Sequence, residues 1–308
     1  MERRAVIDIG TNSVKLLVAD VDGSVIAPLL EESEQTRLGA GFYETHELQD
    51  DAIRRTAASV KIFSDKAASL GSLPPRVVAT SAARDAKNVG HLINAIFDSS
   101  KLLVEILSGG READWAFRGV TSDPKLARCP ALIVDVGGGS SEFIVGENAV
   151  PQFRDSYNLG AVRLFEQLRL ADPPGSDALT RCRQSLREFL VSQVAPVLDP
   201  ALQACKQKAR LVGVGGTATL LVRMEAQMND YNREKIESTP VSLDHIRKRI
   251  EQQWNMPLVK RKKIVGLPPN RADIILTGMA IYEAIMEQFG FAELAVSARG
   301  LRFWALLQ

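Results

Sequence analysis

Val6-Ile-Asp-Ile-Gly-Thr-Asn-Ser-Val-Lys-Leu-Leu-Val18 reads as a β-branched apolar run, an aspartate, a small-residue turn and a second apolar run. The design returns as Ile133-Val-Asp-Val-Gly-Gly-Gly-Ser-Ser-Glu-Phe-Ile-Val145, at a constant offset of 127 residues. Asp8 falls on Asp135, Gly10 on Gly137, Ser13 on Ser140 and Val18 on Val145. Such a repeat at domain length predicts two similar domains, each opening on a hairpin, facing each other across a cleft.

The sequence between and after the repeats alternates strand and helix signals. Strands are predicted over 24–30, 76–79, 102–106, 210–214 and 294–296, and helices over 48–70, 83–97, 160–170, 177–197, 217–228, 242–254 and 271–289. That alternation is the mark of an α/β protein, and 308 residues suit about two domains. The Pro-containing stretch 121–130 is the natural joint. It predicts an N-terminal domain over 1–125 and a C-terminal domain over 126–298, with a last helix at about 299–308 packing back on the first.

Composition narrows the function. Lysine plus arginine number 38 against 37 acids, a net charge of +1, so no nucleic-acid partner is expected and any polyanion must meet a local patch. The three cysteines, Cys129, Cys182 and Cys205, lie far apart, which argues against a disulfide scaffold and a zinc site. His46, His91 and His245 have no metal-ligand spacing, and His245 has no partner evident in the sequence. Asp8 interrupts the first apolar run, against a signal peptide, and no uncharged run is long enough to span a bilayer. A cytoplasmic protein without a membrane partner is expected.

A turn of glycines flanked by Ser or Thr exposes consecutive backbone N–H groups, a concavity suited to anionic oxygens. Gly10, Thr11, Asn12 and Ser13 form one such turn, and Gly137, Gly138, Gly139 and Ser140 the other. Either loop alone reads equally well as a tight turn; the pair favours a clamp on a phosphate chain. The aspartate before each turn can hold a divalent cation, directly or through water. A third cluster, with Gly215, Gly216 and Thr217, ends a strand and opens a helix, where an anion or a close backbone approach is favoured. No Gly-Lys-Ser/Thr follows any of them, so this is not a P-loop.

Asp8–Ser13, Asp135–Ser140 and Gly213–Thr217 resemble the two phosphate motifs and the adenosine motif of the actin-like ATPase superfamily. Within it the chain resembles the exopolyphosphatase/guanosine pentaphosphate phosphohydrolase family. Supporting pieces are Arg37-Leu-Gly39, Ala79-Thr-Ser-Ala-Ala-Arg-Asp-Ala-Lys-Asn88, Ser108-Gly-Gly-Arg-Glu-Ala113, Gly160-Ala-Val-Arg-Leu164, Arg271-Ala-Asp273 and Ser297-Ala-Arg-Gly300. The resemblance implies two actin-like (ribonuclease H-like) domains and a phosphoanhydride hydrolase. It would release terminal orthophosphate from inorganic polyphosphate with magnesium; guanosine pentaphosphate hydrolysis and a non-catalytic phosphate sensor are the alternatives, and a homodimer stays open. Carried over residue by residue, it implies that Glu112 orients the attacking water and that Glu142 is a second catalytic acid. Asp8, Asp135 and Glu142 would serve magnesium, and Arg84 and Asn88 would line the phosphate channel.

There are departures from the family pattern. Arg111 stands where a first glutamate is usual, and is expected to place a cation beside Glu112. Ala298 and Phe303-Trp304 also differ from the usual Asp and Glu-Gly. The chain ends where longer members continue into a helical domain that grips polymers, so shorter substrates are expected. The stretch 231–263 holds nine Lys/Arg against four acids, either a solvated surface or a steering patch for polyphosphate.

Overall fold

The computed structural model describes residues 1–308, which form two compact units, Met1–Ser122 with Arg299–Gln308, and Asp123–Ala298. In the first, β1 (Glu2–Ile9), β2 (Val14–Asp22), β3 (Val25–Glu34), β4 (Arg76–Ala79) and β5 (Val104–Ile106) make a sheet of order β3-β2-β1-β4-β5. The meander β1–β3 is antiparallel, while β4 and β5 join in parallel. β1 is buried on both faces from Ala5 onward, which is why it reads as a continuous apolar run rather than an alternating one. The helix Asp50–Ser69 packs Ile53, Ala57, Val60 and Phe63 on one face of the sheet, at the spacing of one helical stripe.

The second unit repeats this plan. β6 (Ala131–Val136), β7 (Ser141–Glu147), β8 (Val150–Tyr157), β9 (Arg210–Val214), β10 (Val241–Ser242) and β11 (Glu293–Val296) form the order β10-β11-β9-β6-β7-β8. Apart from the short β10, that is the first sheet's order element for element, with the same antiparallel meander and the same parallel pairs. The helix Ile275–Phe289 is almost wholly buried and forms the core's spine. Tyr282 within it donates to the carbonyl oxygens of Val134 and Val214 at 3.1 and 3.3 Å, tying β6 to β9. Arg183 holds the Glu283 carboxylate with two hydrogen bonds, 2.8 and 2.6 Å, and so clamps the helix Ser176–Phe189 to that spine.

The last helix, Leu301–Ala305, belongs to the first unit and packs on the helix Gly109–Thr121. Gly119 permits the contact, because a Cβ there would meet the Gly300 carbonyl oxygen at 2.1 Å. Phe303 is buried, and Trp304 lies under the Arg118 guanidinium, 4.9 Å from ring to charge. These two departures thus serve docking of the C-terminal helix.

Several expected elements differ. The helix expected over 83–97 is two, Ser81–Asp85 and Val89–Ser100, because Ala86 is extended between them. The helix expected over 177–197 continues to Gln203 through a wider turn at Leu190–Val194. β8 was not expected; Pro151 and the charges of Arg154 and Asp155 mask an edge strand. The helix Gly109–Thr121 was missed too, since Gly109-Gly110 stand in its first turn.

Candidate active site

In the first unit β1, β4 and β5 run parallel, so their C-terminal ends share one rim. Gly10–Ser13, Thr80–Arg84 and Ser108–Glu112 leave from that rim. In the second unit β6, β9 and β11 do the same for Gly137–Ser140, Gly215–Thr217 and Ser297–Gly300. Carboxyl ends of parallel strands are where α/β sheets bind ligands.

The two turns close identically. Gly10 N–H donates to the Ser13 carbonyl at 3.0 Å, and Gly137 N–H to the Ser140 carbonyl at 3.0 Å. Behind the second loop, the Gly137 carbonyl accepts from Ala161 N–H at 2.9 Å, and the Gly138 carbonyl from Val162 and Arg163 N–H at 2.8 and 3.0 Å. The Arg163 Nε donates to the Gly139 carbonyl at 2.8 Å. In a trans peptide the N–H points opposite the carbonyl, so the amides of Gly138, Gly139 and Ser140 all turn away from this backing segment. The result is a row of consecutive N–H groups on one side, the geometry that binds phosphate oxygens. The first loop is backed likewise by Gly39 N–H on the Thr11 carbonyl at 2.7 Å and Arg37 N–H on the Asn12 carbonyl at 3.0 Å, which turns the Asn12 and Ser13 amides the other way. The backing segments, Leu38-Gly39-Ala40 and Leu159-Gly160-Ala161, are a second repeated signature that a search for repeats beyond the hairpins would have found.

Register supplies what spacing alone did not. Asp8 pairs with Lys15 across β1 and β2, and Lys15 with Ser33 on β3. In the second unit Asp135 pairs with Glu142 across β6 and β7, and Glu142 with Ser156 on β8. The two hairpins therefore differ at one chemical point, a lysine opposite the aspartate in the first and a glutamate in the second. Directly opposed residues share a face, and two facing carboxylates repel unless a cation or proton lies between them. Glu142 is 1% exposed, and its Oε1 accepts from Ser140 Oγ at 2.8 Å and Ser156 Oγ at 2.7 Å, which fixes the direction of that oxygen. Ser156 was outside the residues singled out from sequence.

Asp8 is buried, and burial pushes its carboxyl above the ordinary range, with Lys15 and Arg302 pulling the other way. No group of three or more His, Cys, Asp or Glu side chains gathers as a ready metal cage. The facing pair Asp135 and Glu142 fits magnesium, which is commonly held by one or two carboxylates plus substrate phosphate and water. On the first rim the buried hydroxyls Thr11 Oγ1 and Ser81 Oγ have no protein partner, donors that fit a phosphate oxygen.

The other expected residues fall as follows. Glu112 lies in the first turn of the helix Gly109–Thr121, where Ser108 caps the Arg111 N–H. Its Oε2 accepts from Arg84 Nη1 at 2.9 Å. The expectation that Arg111 stands beside Glu112 is corrected. Its guanidinium is 2.7 Å from Glu105 and stacks on Trp115, and the cation on Glu112 is Arg84. Both ends of the Asn88 amide bind the Leu48 backbone, at 2.8 and 2.9 Å, which ties that loop down. Gly215 has a left-handed φ of +81°, and a Cβ on it would meet Asp135 Oδ1 at 2.3 Å. Gly216 lies against the Arg271 guanidinium, a cation of this rim not assigned from sequence. Thr217 turns its hydroxyl toward the Val136 carbonyl, 3.4 Å away, and so packs the helix onto β6.

The basic stretch is largely occupied. Arg233, Arg247 and Arg249 pair with Glu237, Glu287 and Glu225, and Arg261 is buried on the carbonyls of Ala272, Gln253 and Met256. His245 does have a partner, Glu225, with Nδ1 at 2.8 Å. Gly266 lies on the Arg223 carbonyl, at the opposite end of the helix Gly215–Glu225 from Gly215.

Each unit thus carries a hairpin turn with an outward amide row, the first beside a rim glutamate and the second beside a facing carboxylate pair. The profile of the Ppx/GppA phosphatase family matches residues 17–304. The chain belongs to the Ppx/GppA phosphatase family. It is 31% identical over 314 aligned positions to exopolyphosphatase 2 of Mycobacterium tuberculosis, covering 96% of this chain and 95% of that one. The crystal structure of the Aquifex aeolicus Ppx/GppA member superposes with a TM-score of 0.79 at 29% identity, over 99% and 96% of the two chains. An exopolyphosphatase from Cytophaga hutchinsonii gives 0.88 at 27%, again over 99% and 96%. The Ppx/GppA assignment makes this chain a phosphatase with the α/β, two-domain actin-like fold. No helix is long and apolar enough to cross a membrane.

Proposed function

We propose that this phosphatase is a magnesium-dependent exopolyphosphatase, releasing terminal orthophosphate from inorganic polyphosphate by attack of water. The observation that carries this reading is the opposition of Asp135 and Glu142 beside the amide row of Gly138–Ser140. Asp135 and Glu142 would hold magnesium, which offsets charge on phosphate oxygens when bound. On the other rim, Lys15 opposite Asp8 favours phosphate there rather than a second metal. Glu112 orients the water; as the water oxygen bonds to the terminal phosphorus and gives a proton to a phosphate oxygen, the bridging P–O bond breaks and the shortened polyphosphate leaves with the electron pair. An amide row of this kind stabilises charge on phosphate oxygens. The two compact units serve as the two domains of the enzyme, the chain passing between them at Ser122–Asp123 and at Ala298–Arg299. The named activities of the relatives support the substrate, and the three free cysteines support a reducing, cytoplasmic setting.

The test is phosphate release from polyphosphate, guanosine pentaphosphate and ATP, each with magnesium and with chelator. Polyphosphate is expected to turn over fastest, and only with the metal. Glu142→Gln is expected to remove the rise in melting temperature that magnesium gives the wild type. Faster release from guanosine pentaphosphate would reassign the substrate, and metal-independent release would sink the carboxylate-pair assignment.

A further inference from the structure

We infer, on the reading that Glu112 orients the attacking water, that Arg84 is a positioning residue acting through Glu112 rather than a phosphate ligand. β4 and β5 are parallel neighbours, and Leu107 N–H donates to the Ala79 carbonyl at 2.9 Å, so the segments leaving them start side by side. That places Arg84, one turn beyond Thr80, against Glu112, one turn beyond Ser108. Arg84 Nη1 donates to Glu112 Oε2 at 2.9 Å and to the Leu107 carbonyl at 3.3 Å, while Nε reaches Asp85 Oδ1 at 3.4 Å. The guanidinium charge is thus met inside its own unit by two carboxylates and a carbonyl. The side chains of Arg84 and Glu112 are 21% and 14% exposed, so solvent screens the pair only partly.

A first-turn glutamate without a partner would keep considerable rotamer freedom, and that freedom is harmful to a group that must aim a water molecule. Misplacement by about 1 Å can cost on the order of 100-fold in rate. The first-turn position favours the ionised carboxylate but does not fix its direction. Arg84 fixes it, and because its anchor is the Leu107 carbonyl, the direction is set relative to the strand end itself. Arg111 cannot substitute, being engaged by Glu105 and Trp115.

The experiment is a double-mutant cycle with tripolyphosphate and magnesium, on wild type, Arg84→Gln, Glu112→Gln and the double variant, with Arg84→Lys alongside. Arg84→Gln is expected to lower kcat by roughly 10–100-fold while KM moves less than about threefold. Arg84→Lys should recover part of the loss, since an ammonium still reaches one carboxylate oxygen. In the Glu112→Gln background, removing Arg84 should cost nothing further. Should Arg84→Gln melt early, the lysine variant run through the same cycle gives the comparison. A KM raised about tenfold or more at unchanged kcat, or losses that multiply, would make Arg84 a phosphate ligand and overturn the inference while leaving Glu112 in place. Full turnover by folded Glu112→Gln would remove Glu112 from the mechanism and the inference with it.

Discussion

Ser156 Oγ donates to Glu142 Oε1 at 2.7 Å from the neighbouring strand, on the same oxygen that Ser140 Oγ reaches at 2.8 Å. Two hydroxyls on one buried carboxyl oxygen fix its direction. A hydrogen bond to a charged group contributes about 1.5–3 kcal/mol. Ser156→Ala is therefore expected to lose about 1.5 kcal/mol in urea unfolding, and to need more magnesium for half-maximal phosphate release. Ser156→Thr, which keeps the hydroxyl, should restore much of both. A variant as stable as wild type would show that Ser140 alone holds Glu142.

The glycines behind the loops make a graded test. A Cβ on Gly160 would lie 2.4 Å from the Gly138 carbonyl oxygen and 2.5 Å from two backbone carbons of the loop. Backbone cannot step aside without turning the amide row. On Gly39 the obstruction at 2.3 Å is only the Thr11 methyl, the tip of a side chain. Gly160→Ala should cost about 1–3 kcal/mol and most of the turnover, with Gly39→Ala milder on both counts. Melting curves and initial rates on the same preparations check the order, and equal effects would contradict it.

What was legible in the sequence was what backbone chemistry dictates locally. The run of apolar residues, the aspartate, the glycine turn and the serine stand in the chain in the order the hairpin needs, so both loops and both aspartates could be read off. Lys15 and Glu142 also lay within the quoted stretches, but only the register places each opposite its aspartate. Ser156 was hidden because β8 is an edge strand with Pro151 and exposed charges, which blur the period-2 pattern. The direction of Arg111 was illegible for another reason: a helical side chain chooses among neighbours that chain order does not list, and Glu105 with Trp115 outbid Glu112. Asn88 was assigned through resemblance, and its two bonds to the Leu48 backbone show only in the tertiary structure.

Arg111→Glu would restore the more usual family residue at a place now built for a cation. Glu105 has its carboxyl below the ordinary range: burial opposes this, and hydrogen bonds from Arg76 and Arg111 outweigh burial. A glutamate at 111 would set two like charges together and remove a guanidinium from the Trp115 face. The expected cost is about 1 kcal/mol in stability, as for a lost partly exposed pair with stacking. Turnover per folded molecule should stay within about twofold, because Arg84 rather than Arg111 touches Glu112. A large change in kcat with an unchanged melting temperature would be the contrary result.

Asp8 gives the pH dependence. Burial raises its carboxyl above the ordinary value of 3.8, and Lys15 and Arg302 offset that only in part. The native state therefore holds the proton more tightly than the unfolded chain does. Ionising Asp8 then costs stability progressively as pH rises from the unfolded value through the raised native one, and the full cost persists above both. Below the unfolded value both states are protonated and the cost is absent. Asp8→Asn removes the ionisation while keeping size and most hydrogen-bonding capacity. With chelator present, so that no bound cation offsets the charge, the variant should melt higher than wild type at pH 7, and the gap should close as pH falls toward 4. Activity should fall nonetheless, because the charge balanced against Lys15 is lost. A wild type that melts higher than Asp8→Asn at pH 7 under chelator would mean that the two cations outweigh burial, and the sign would reverse.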